Sequence, residues 1–238
     1  MPSALTIRDL RVRYGAIEAL HGVDIELEAG EIVAVLGANG AGKSSLLNAI
    51  AGLVKGRSGS IMVDGTEISG WPAERIARAG IGLVPEGRRI FNRLTVRENL
   101  RLGGYFLAPR EFERRLEEMQ EIFPIIAKRR DAYAGHLSGG EQQMVALGRS
   151  MISHPRVLLL DEPSAGLSPI ATASVYQSIA RYAREAQVTI LLVEQNVRWA
   201  LELAERGVVL DLGSIKLAGS RDALRGNDRV AQLYLGME

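Results

Sequence analysis

The chain has 238 residues, of which 47% are hydrophobic and 24% charged, a composition typical of one globular domain or one core with a sub-domain. Its formal net charge of +1 gives no bulk electrostatic attraction to nucleic acid or to an anionic membrane. The absence of cysteine excludes disulfides and thiolate metal sites. No signal-peptide pattern is visible, and the apolar runs are shorter than the ~20 residues that a membrane helix needs. If this protein serves a membrane, we expect it to act from outside the bilayer.

The first third of the chain favours strands separated by turns. Extended or alternating segments are LTIRDLRVRY, GVDIELEAGE, IVAVLG, SGSIMVDG and IGLVP. Between the last two, Trp71-Pro72 predicts a helix with proline at its first position and Gly80 after its last turn.

The middle of the chain changes to a helical pattern from Thr95, which forms a predicted capping box with Glu98. In the helix that follows, the apolar face is formed by Phe112, Leu116, Met119 and Phe123. Charged residues fill the rest of that helix, and we interpret them as a solvated face. Pro124 interrupts the pattern.

The last part alternates between helices and strands. A helix from about Gly140 precedes the strand VLLLD, and Ser168-Pro169 opens a long helix before the strand TILLV. A helix after Asn196, a hairpin over GVVLDLGSIKLAG and a short closing helix complete the chain. Strands that alternate with helices predict a mainly parallel α/β sheet.

The segment GANGAGKS matches the phosphate-binding pattern G-x-x-x-x-G-K-[ST] and lies between an apolar strand and a helical stretch. Its glycines let the backbone wrap around anionic oxygens, and the following helix directs its positive end at the same anion. Lys43 is expected to reach the β- and γ-phosphates, and Ser44 to bind Mg²⁺. The alternative is a glycine turn before a helix with an exposed lysine. The predicted nucleotide contacts are Gly37, Asn39, Gly40, Ala41, Gly42, Lys43, Ser44 and Ser45.

Two adjacent carboxylates, Asp161 and Glu162, end the apolar strand in VLLLDEP. A carboxylate directed at a P-loop provides the second anchor for Mg²⁺, usually through water. Glu162 is expected on the other side of the strand end, where it would orient or deprotonate the attacking water. The alternative is a turn without chemistry. Two carboxylates with separate roles distinguish an NTP hydrolase from a protein that only binds nucleotide.

The segment LSGGEQQ permits two interpretations. Ser138 as N-cap and Glu141 three residues later form a capping box, which explains two of its residues. Gly139 and Gly140 are poor in a first helical turn and make sense where another backbone or a phosphate approaches closely. The helix start is therefore a candidate anion site as well as a capped end.

The order GANGAGKS, LSGGEQQ, VLLLDEP resembles the ATP-binding cassette (ABC) family over essentially the whole chain, and LSGGEQQ resembles its most specific signature. The resemblance implies a P-loop NTPase core with a mainly parallel sheet, an N-terminal antiparallel β sub-domain and an inserted helical lobe. We expect one ABC ATPase domain over residues 1–238. Within it, 1–86 and 154–238 would form the core and β sub-domain, and roughly 87–153 the helical lobe.

The resemblance also implies that two cassettes pair head to tail. The signature residues Ser138, Gly139, Gly140 and Glu141 would then serve ATP bound to the partner, with Ser138 and Gly140 at its γ-phosphate. This arrangement makes each ATP site a product of two chains.

Two further segments resemble family elements. Tyr14 in VRYG resembles the aromatic residue that stacks on adenine, and the alternative is a strand tyrosine at a core edge. SAGLSP resembles the D-loop, with Ser168 where Asp is common; Ser168 is also a suitable N-cap before Pro169.

Two positions depart from the general family pattern. Glu86 in VPEGRRIF stands where glutamine is usual, and Gln195 in LLVEQN stands where histidine is usual. The resemblance places Gln195 at the γ-phosphate, where its amide can donate and accept but cannot take up a proton near neutral pH. Glu86 can offer an oxygen to Mg²⁺ or its water, with an added negative charge. The alternative is a degenerate site that binds ATP without hydrolysing it.

The pair VPEGRR…F and VEQN, together with the compact length and the ending LYLGME, resembles an ATPase subunit of branched-chain amino-acid importers. The implied catalytic residues are Lys43, Glu162 and Gln195, and the implied Mg²⁺ ligands are Ser44, Asp161 and Glu86. The implied partners are a second, homologous cassette, two membrane permeases and, indirectly, a periplasmic or extracellular substrate-binding protein, with no nucleic acid. The protein would lie peripherally on the cytoplasmic face of the inner (plasma) membrane. The alternatives are an amide or urea importer and a soluble, non-transport ABC ATPase.

Overall fold

The computed structural model describes residues 3–226, so the ending LYLGME lies outside the described residues. Its first sheet is antiparallel and contains β1 (Ser3–Tyr14), β2 (Ile17–Glu28), β4 (Arg57–Val63) and β5 (Thr66–Glu67). These strands lie in the order β2–β1–β4–β5. The expected antiparallel N-terminal sheet is confirmed.

The second sheet has six strands and is parallel except for its C-terminal hairpin. Its members are β3 (Ile32–Leu36), β6 (Ile81–Val84), β7 (Val157–Asp161), β8 (Thr189–Glu194), β9 (Arg206–Asp211) and β10 (Ser214–Ser220). They lie in the order β10–β9–β3–β8–β7–β6, and only β9 and β10 pair antiparallel. The mainly parallel sheet is therefore confirmed.

Helices surround this sheet and form the inserted lobe. The helices are α1 (Lys43–Ile50), α2 (Ala73–Arg78), α3 (Val96–Gly103), α4 (Pro109–Ile122), α5 (Pro124–Lys128), α6 (Gly139–Met151), α7 (Pro169–Ala186), α8 (Val197–Leu203) and α9 (Arg221–Arg225). The capping boxes predicted at Thr95 and Ser138 are both present. No helix among residues 3–226 is long and apolar enough to span a bilayer.

Two details of the helix predictions need correction. Pro72 has an extended backbone with ψ 152° and is the N-cap of α2, so that helix begins one residue later, at Ala73. The apolar face of α4 ends with Ile122, whereas Phe123 is fully buried at the junction with α5. Both differences concern helix ends, where local pattern is weakest.

The parallel strands are buried on both faces because each face has its own apolar core. Val33 and Val35 of β3 pack with the antiparallel sheet and α1, whereas Ala34 and Leu36 pack with helices of the lobe and with α7 and α8. Because successive side chains of β3 point to opposite faces, this sheet packs against the β-rich part on one face and against helices on the other. The domain boundaries predicted from the sequence remain a prediction.

Gly103→Ala should destabilise the fold. A Cβ at Gly103, in the last turn of α3, would overlap the carbonyl oxygen of Arg149 in α6, and backbone cannot move aside cheaply. We expect a loss of about 2 kcal/mol in the free energy of unfolding, measured by urea titration. Gly70→Ala is the matched control, because nothing lies within 4 Å of its added Cβ. Equal stability of the two variants would contradict close packing of α3 on α6.

The sheet topology brings three motif-bearing strand ends together. β3 pairs with β8 and β8 with β7, all parallel, so their carboxyl ends are adjacent. Leu36 lies opposite Glu194, and Asp161 opposite Val193. Ligands of open α/β sheets bind at this edge.

Candidate nucleotide-binding site

The P-loop joins β3 to α1 with a backbone that requires glycine. Gly40 and Gly42 have φ of +81° and +105°, in the left-handed region that glycine adopts without strain. Gly42 is the N-cap of α1, has no side-chain cap, and is followed by no acidic residue in the first turn. The N–H groups of that turn and the positive helix end are therefore available to an anion.

Lys43 folds back across this loop. Its Nζ donates to the carbonyl oxygens of Gly37 and Ala38 at 2.9 and 3.0 Å and lies 3.0 Å from Glu162 Oε1. The residue is only 4% exposed, so the alternative of a glycine turn with an exposed lysine is wrong. The ammonium group is held over the loop, next to the carboxylate predicted to act on water.

Ser44 and Asp161 meet at the other side of the loop, where the Ser44 hydroxyl donates to Asp161 Oδ1 at 3.2 Å. Burial raises the pKa of Asp161; the Ser44 hydrogen bond lowers it, and the negative charges of Glu162 and Glu86 raise it further. Asp161 and the Ser44 hydroxyl, with the negative charges of Glu86 and Glu162 nearby, supply the oxygen atoms and the charge that a hard divalent cation prefers.

Within residues 3–226, no group of three His, Cys, Asp or Glu side chains is arranged to hold a metal by itself. This finding agrees with Mg²⁺ chemistry, because Mg²⁺ usually takes one or two carboxylates and completes its octahedron with water and substrate phosphates. The residues present fit Mg²⁺ bound together with a nucleotide.

A cleft of 410 Å³ opens over the P-loop. Its lining includes Asn39, Gly40, Gly42, Lys43, Ser44, Ser45, Glu86 and Glu162, together with Ala19 of β2. Gly37 and Ala41 support the loop from behind, since a Cβ on Gly37 would overlap the Leu210 carbonyl and Ala41 is 4% exposed. The structure thus brings Glu86 to the same cleft as the P-loop.

Gln195 lies in a neighbouring cleft of 640 Å³ that shares Glu162 with the first. The Gln195 side chain is exposed there, directly after the buried Glu194. Glu162 itself has φ +45°, and its backbone N–H donates to the Val193 carbonyl at 2.9 Å. A non-glycine residue in this region is strained, and such strain is often found at functional positions.

Tyr14 is not among the residues that line either cleft. Tyr14 is the last residue of β1, at the turn into β2, and 48% of its surface is exposed. Ala19, on the following strand β2, does line the P-loop cleft. The role of Tyr14 in stacking on adenine remains a prediction.

The signature helix α6 starts outside both clefts. Ser138 accepts from the Glu141 N–H at 3.4 Å, and Glu141 accepts from the Ser138 N–H at 2.8 Å. A Cβ on Gly139 would lie 3.0 Å from the Arg88 guanidinium, and one on Gly140 would lie 2.9 Å from the Ala171 Cβ. Both glycines therefore lie against side chains of the same chain, and the expected approach of a phosphate or another backbone stays a prediction.

Two arginines, whose contacts no sequence pattern indicated, connect the Glu86 loop to α6. Arg149, in the last turn of α6, donates to the carbonyls of Arg88 and Arg89 at 3.4 and 2.9 Å. Arg88 in turn donates to Gln142 Oε1 at 3.4 Å, in the first turns of α6. Arg88 and Arg89 both have positive φ, of 66° and 44°. The loop that carries Glu86 is thus held in a strained form by both ends of the signature helix.

A P-loop at the edge of a mainly parallel sheet, with paired carboxylates and an inserted helical lobe, defines a nucleotide-binding cassette. A family model described as ABC transporter matches residues 20–165. The chain belongs to the ABC transporter family.

Individual relatives agree with this assignment. The chain is 48% identical over 223 residues to the high-affinity branched-chain amino acid transport ATP-binding protein BraG of Pseudomonas aeruginosa, covering 94% of this chain and 95% of BraG. It is 35% identical to the probable branched-chain amino acid transport ATP-binding protein LivF of Archaeoglobus fulgidus, with 96% and 97% covered. It is 33% identical to the lipopolysaccharide export system ATP-binding protein LptB of Escherichia coli K12, with 98% of each covered.

Solved structures share the fold. The ADP conformation of MJ1267, an ATP-binding cassette of an ABC transporter, matches with a TM-score of 0.87 at 23% identity over 100% of both chains. A dimeric, post-hydrolysis state of the cassette MJ0796, bound to ADP and Pi, matches with a TM-score of 0.81 at 24% identity, covering 91% of this chain and 98% of that one.

Proposed function

We propose that this chain is the ATP-hydrolysing, energy-coupling subunit of an ABC importer for branched-chain amino acids. The observation that carries the hydrolytic part is the position of Glu162, which borders both clefts and lies 3.0 Å from Lys43. The substrate class is supported by 48% identity to BraG over 94% of the chain. An intact Lys43, Asp161 and Glu162 argue against a cassette that only binds ATP.

In this proposal the chain's own residues bind and orient MgATP. The first turn of α1 would receive the phosphates, and Lys43 would exchange its contacts with Glu162 and the loop carbonyls for phosphate oxygens. Ser44, Asp161 and Glu86 would hold Mg²⁺, which neutralises charge on the phosphates when bound. Tyr14 would stack on the adenine ring.

Glu162, once released by Lys43, would orient the attacking water and accept its proton. Gln195 would donate a hydrogen bond to the γ-phosphate from the neighbouring cleft. The shared position of Glu162 between the clefts supports this division of roles.

The second half of each site would come from a partner cassette. Ser138, Gly139, Gly140 and Glu141 lie outside their own P-loop cleft, which fits a role toward ATP on a second, homologous chain in a head-to-tail dimer. ATP binding would close that dimer and hydrolysis would reopen it. The helical lobe, linked to Glu86 through Arg88 and Arg149, would pass the motion to two membrane permeases at the cytoplasmic face of the membrane.

Transport assays with the assembled importer test this proposal. The chain, its partner cassette and the two permeases would be reconstituted in proteoliposomes with the substrate-binding protein, and uptake of labelled leucine measured with ATP inside. We expect ATP-dependent leucine uptake and none with Lys43→Ala in this chain, because the lysine contact to the phosphates is lost.

Other outcomes would redirect the assignment. Uptake of urea or an amide without leucine uptake would favour the related amide or urea importers. Co-purification of the chain with ribosomes or DNA, and not with permeases, would favour a soluble, non-transport ABC ATPase.

A further inference from the structure

The end of β8 carries a buried carboxylate to which neither the sequence motifs nor the proposed mechanism assign a task. Glu194 is 2% exposed. Among residues 3–226, the partners found for it are hydrogen-bond donors, with no Lys or Arg in an ion pair. Burying an ionised carboxylate without a cation is costly unless several donors compensate.

The donors come from three separate elements. Ser164, in the D-loop segment, donates to Oε1 from its backbone N–H at 3.2 Å and from its hydroxyl at 2.8 Å. Tyr176 of α7 donates its hydroxyl to the same oxygen at 2.8 Å. The Asn196 N–H donates to Oε2 at 3.3 Å. Glu194 therefore joins the D-loop, α7 and the residue that follows Gln195.

The surrounding groups keep these donors in place. The Tyr176 ring packs against Trp199 of α8 with centroids 5.4 Å apart, and burial together with the Glu194 carboxylate raises the pKa of Tyr176 so that it stays a donor. Asn196 caps α8 by accepting from the Trp199 N–H at 3.3 Å. The backbone at Gln195 is thus held by the buried Glu194 before it and by the capped start of α8 after it.

Only a carboxylate can make this set of bonds. An ionised carboxylate accepts at both oxygens, whereas an amide accepts at one end and donates at the other. A glutamine at position 194 would present its NH₂ group either to the Asn196 N–H or to the Ser164 and Tyr176 donors. Whichever way the amide turned, one of the two links would be broken.

We propose that Glu194 is a positioning residue that locks Gln195 to the D-loop, so that the γ-phosphate contact is aligned only when Ser164 is in place. Ser164 lies two residues after Glu162, and Ala165 donates its N–H to the Glu162 carbonyl at 3.0 Å. The same carboxylate therefore aligns the loop that carries the catalytic glutamate. The inference rests on the proposed ATPase function.

Glu194→Gln in the full chain, assembled with its partner cassette, tests this assignment. We expect kcat for ATP hydrolysis to fall about 10- to 100-fold, as for loss of a hydrogen bond to a charged group, with KM and ATP affinity unchanged. Glu185→Gln is the matched control, because Glu185 is an exposed carboxylate on α7 that pairs with Arg181 at 2.8 Å.

Two outcomes would overturn the assignment: a kcat equal to that of the wild type, or an equal loss in ATP affinity and kcat. Both outcomes can be recognised only when the wild-type assembly hydrolyses ATP. A wild-type assembly without ATPase activity would instead contradict the proposed function, so the two failures are distinguishable.

Discussion

Glu162→Gln should bind MgATP at least as tightly as the wild type and lose most of its turnover. The substitution keeps the shape of the side chain but removes the group that can accept a proton from water. We expect kcat to fall about 10²- to 10⁴-fold, the range contributed by a positioned general base. ATP affinity should not fall, because Lys43 no longer shares its charge with a carboxylate 3.0 Å away and is free for the phosphates.

The measurement pairs steady-state ATP hydrolysis with equilibrium binding of a fluorescent ATP analogue. Glu185→Gln is the control, since Glu185 is an exposed carboxylate paired with Arg181 at 2.8 Å on α7. A Glu162→Gln variant that hydrolyses ATP near the wild-type rate would remove Glu162 from the role of base. A wild-type assembly that binds ATP and does not hydrolyse it would favour the alternative of a degenerate site.

Gln195→Ala should lose activity, whereas Gln195→His should retain most of it. If Gln195 acts by donating a hydrogen bond to the γ-phosphate, alanine removes the donor and histidine restores one. We expect about a 100-fold loss in kcat for alanine, comparable to removal of one donor to a developing negative charge. The pH profile separates the two active forms. Because an unperturbed histidine has a pKa of about 6.5, the rate of Gln195→His should change with pH in that range, and the rate of the wild type should not change there through residue 195.

Gln177→Ala controls for the loss of a glutamine side chain, since Gln177 is exposed on α7. Equal rates for the wild type, Gln195→Ala and Gln195→His would exclude a γ-phosphate contact at position 195. Identical pH profiles for the wild type and Gln195→His would show that the side chain at this position does not face the reacting groups.

Much of this molecule could be predicted from its sequence because the motifs are local. A P-loop is a strand, a turn and a helix within a short segment, and its glycines and lysine specify their own geometry. The same holds for the capping boxes at Thr95 and Ser138, whose partners are three residues apart. Alternating strand and helix patterns were sufficient for the mainly parallel sheet. The P-loop and the mainly parallel sheet therefore follow from local pattern, whereas the roles of Tyr14, Glu86 and Gln195 rest on the family resemblance.

The tertiary structure decided which distant residues meet, because those contacts depend on strand order and helix packing. Asp161 reaches Ser44 across 117 positions, and Glu194 reaches Ser164 across 30. The sequence offered no partner for Glu194 at the end of its strand and no reason for Arg149 to hold the loop after Glu86. Nor did it indicate that Arg88 and Ala171 of the same chain lie against Gly139 and Gly140. Spacing determines chemistry within a motif, whereas only the folded sheet, by placing the carboxyl ends of β3, β7 and β8 side by side, determines how motifs act on one another.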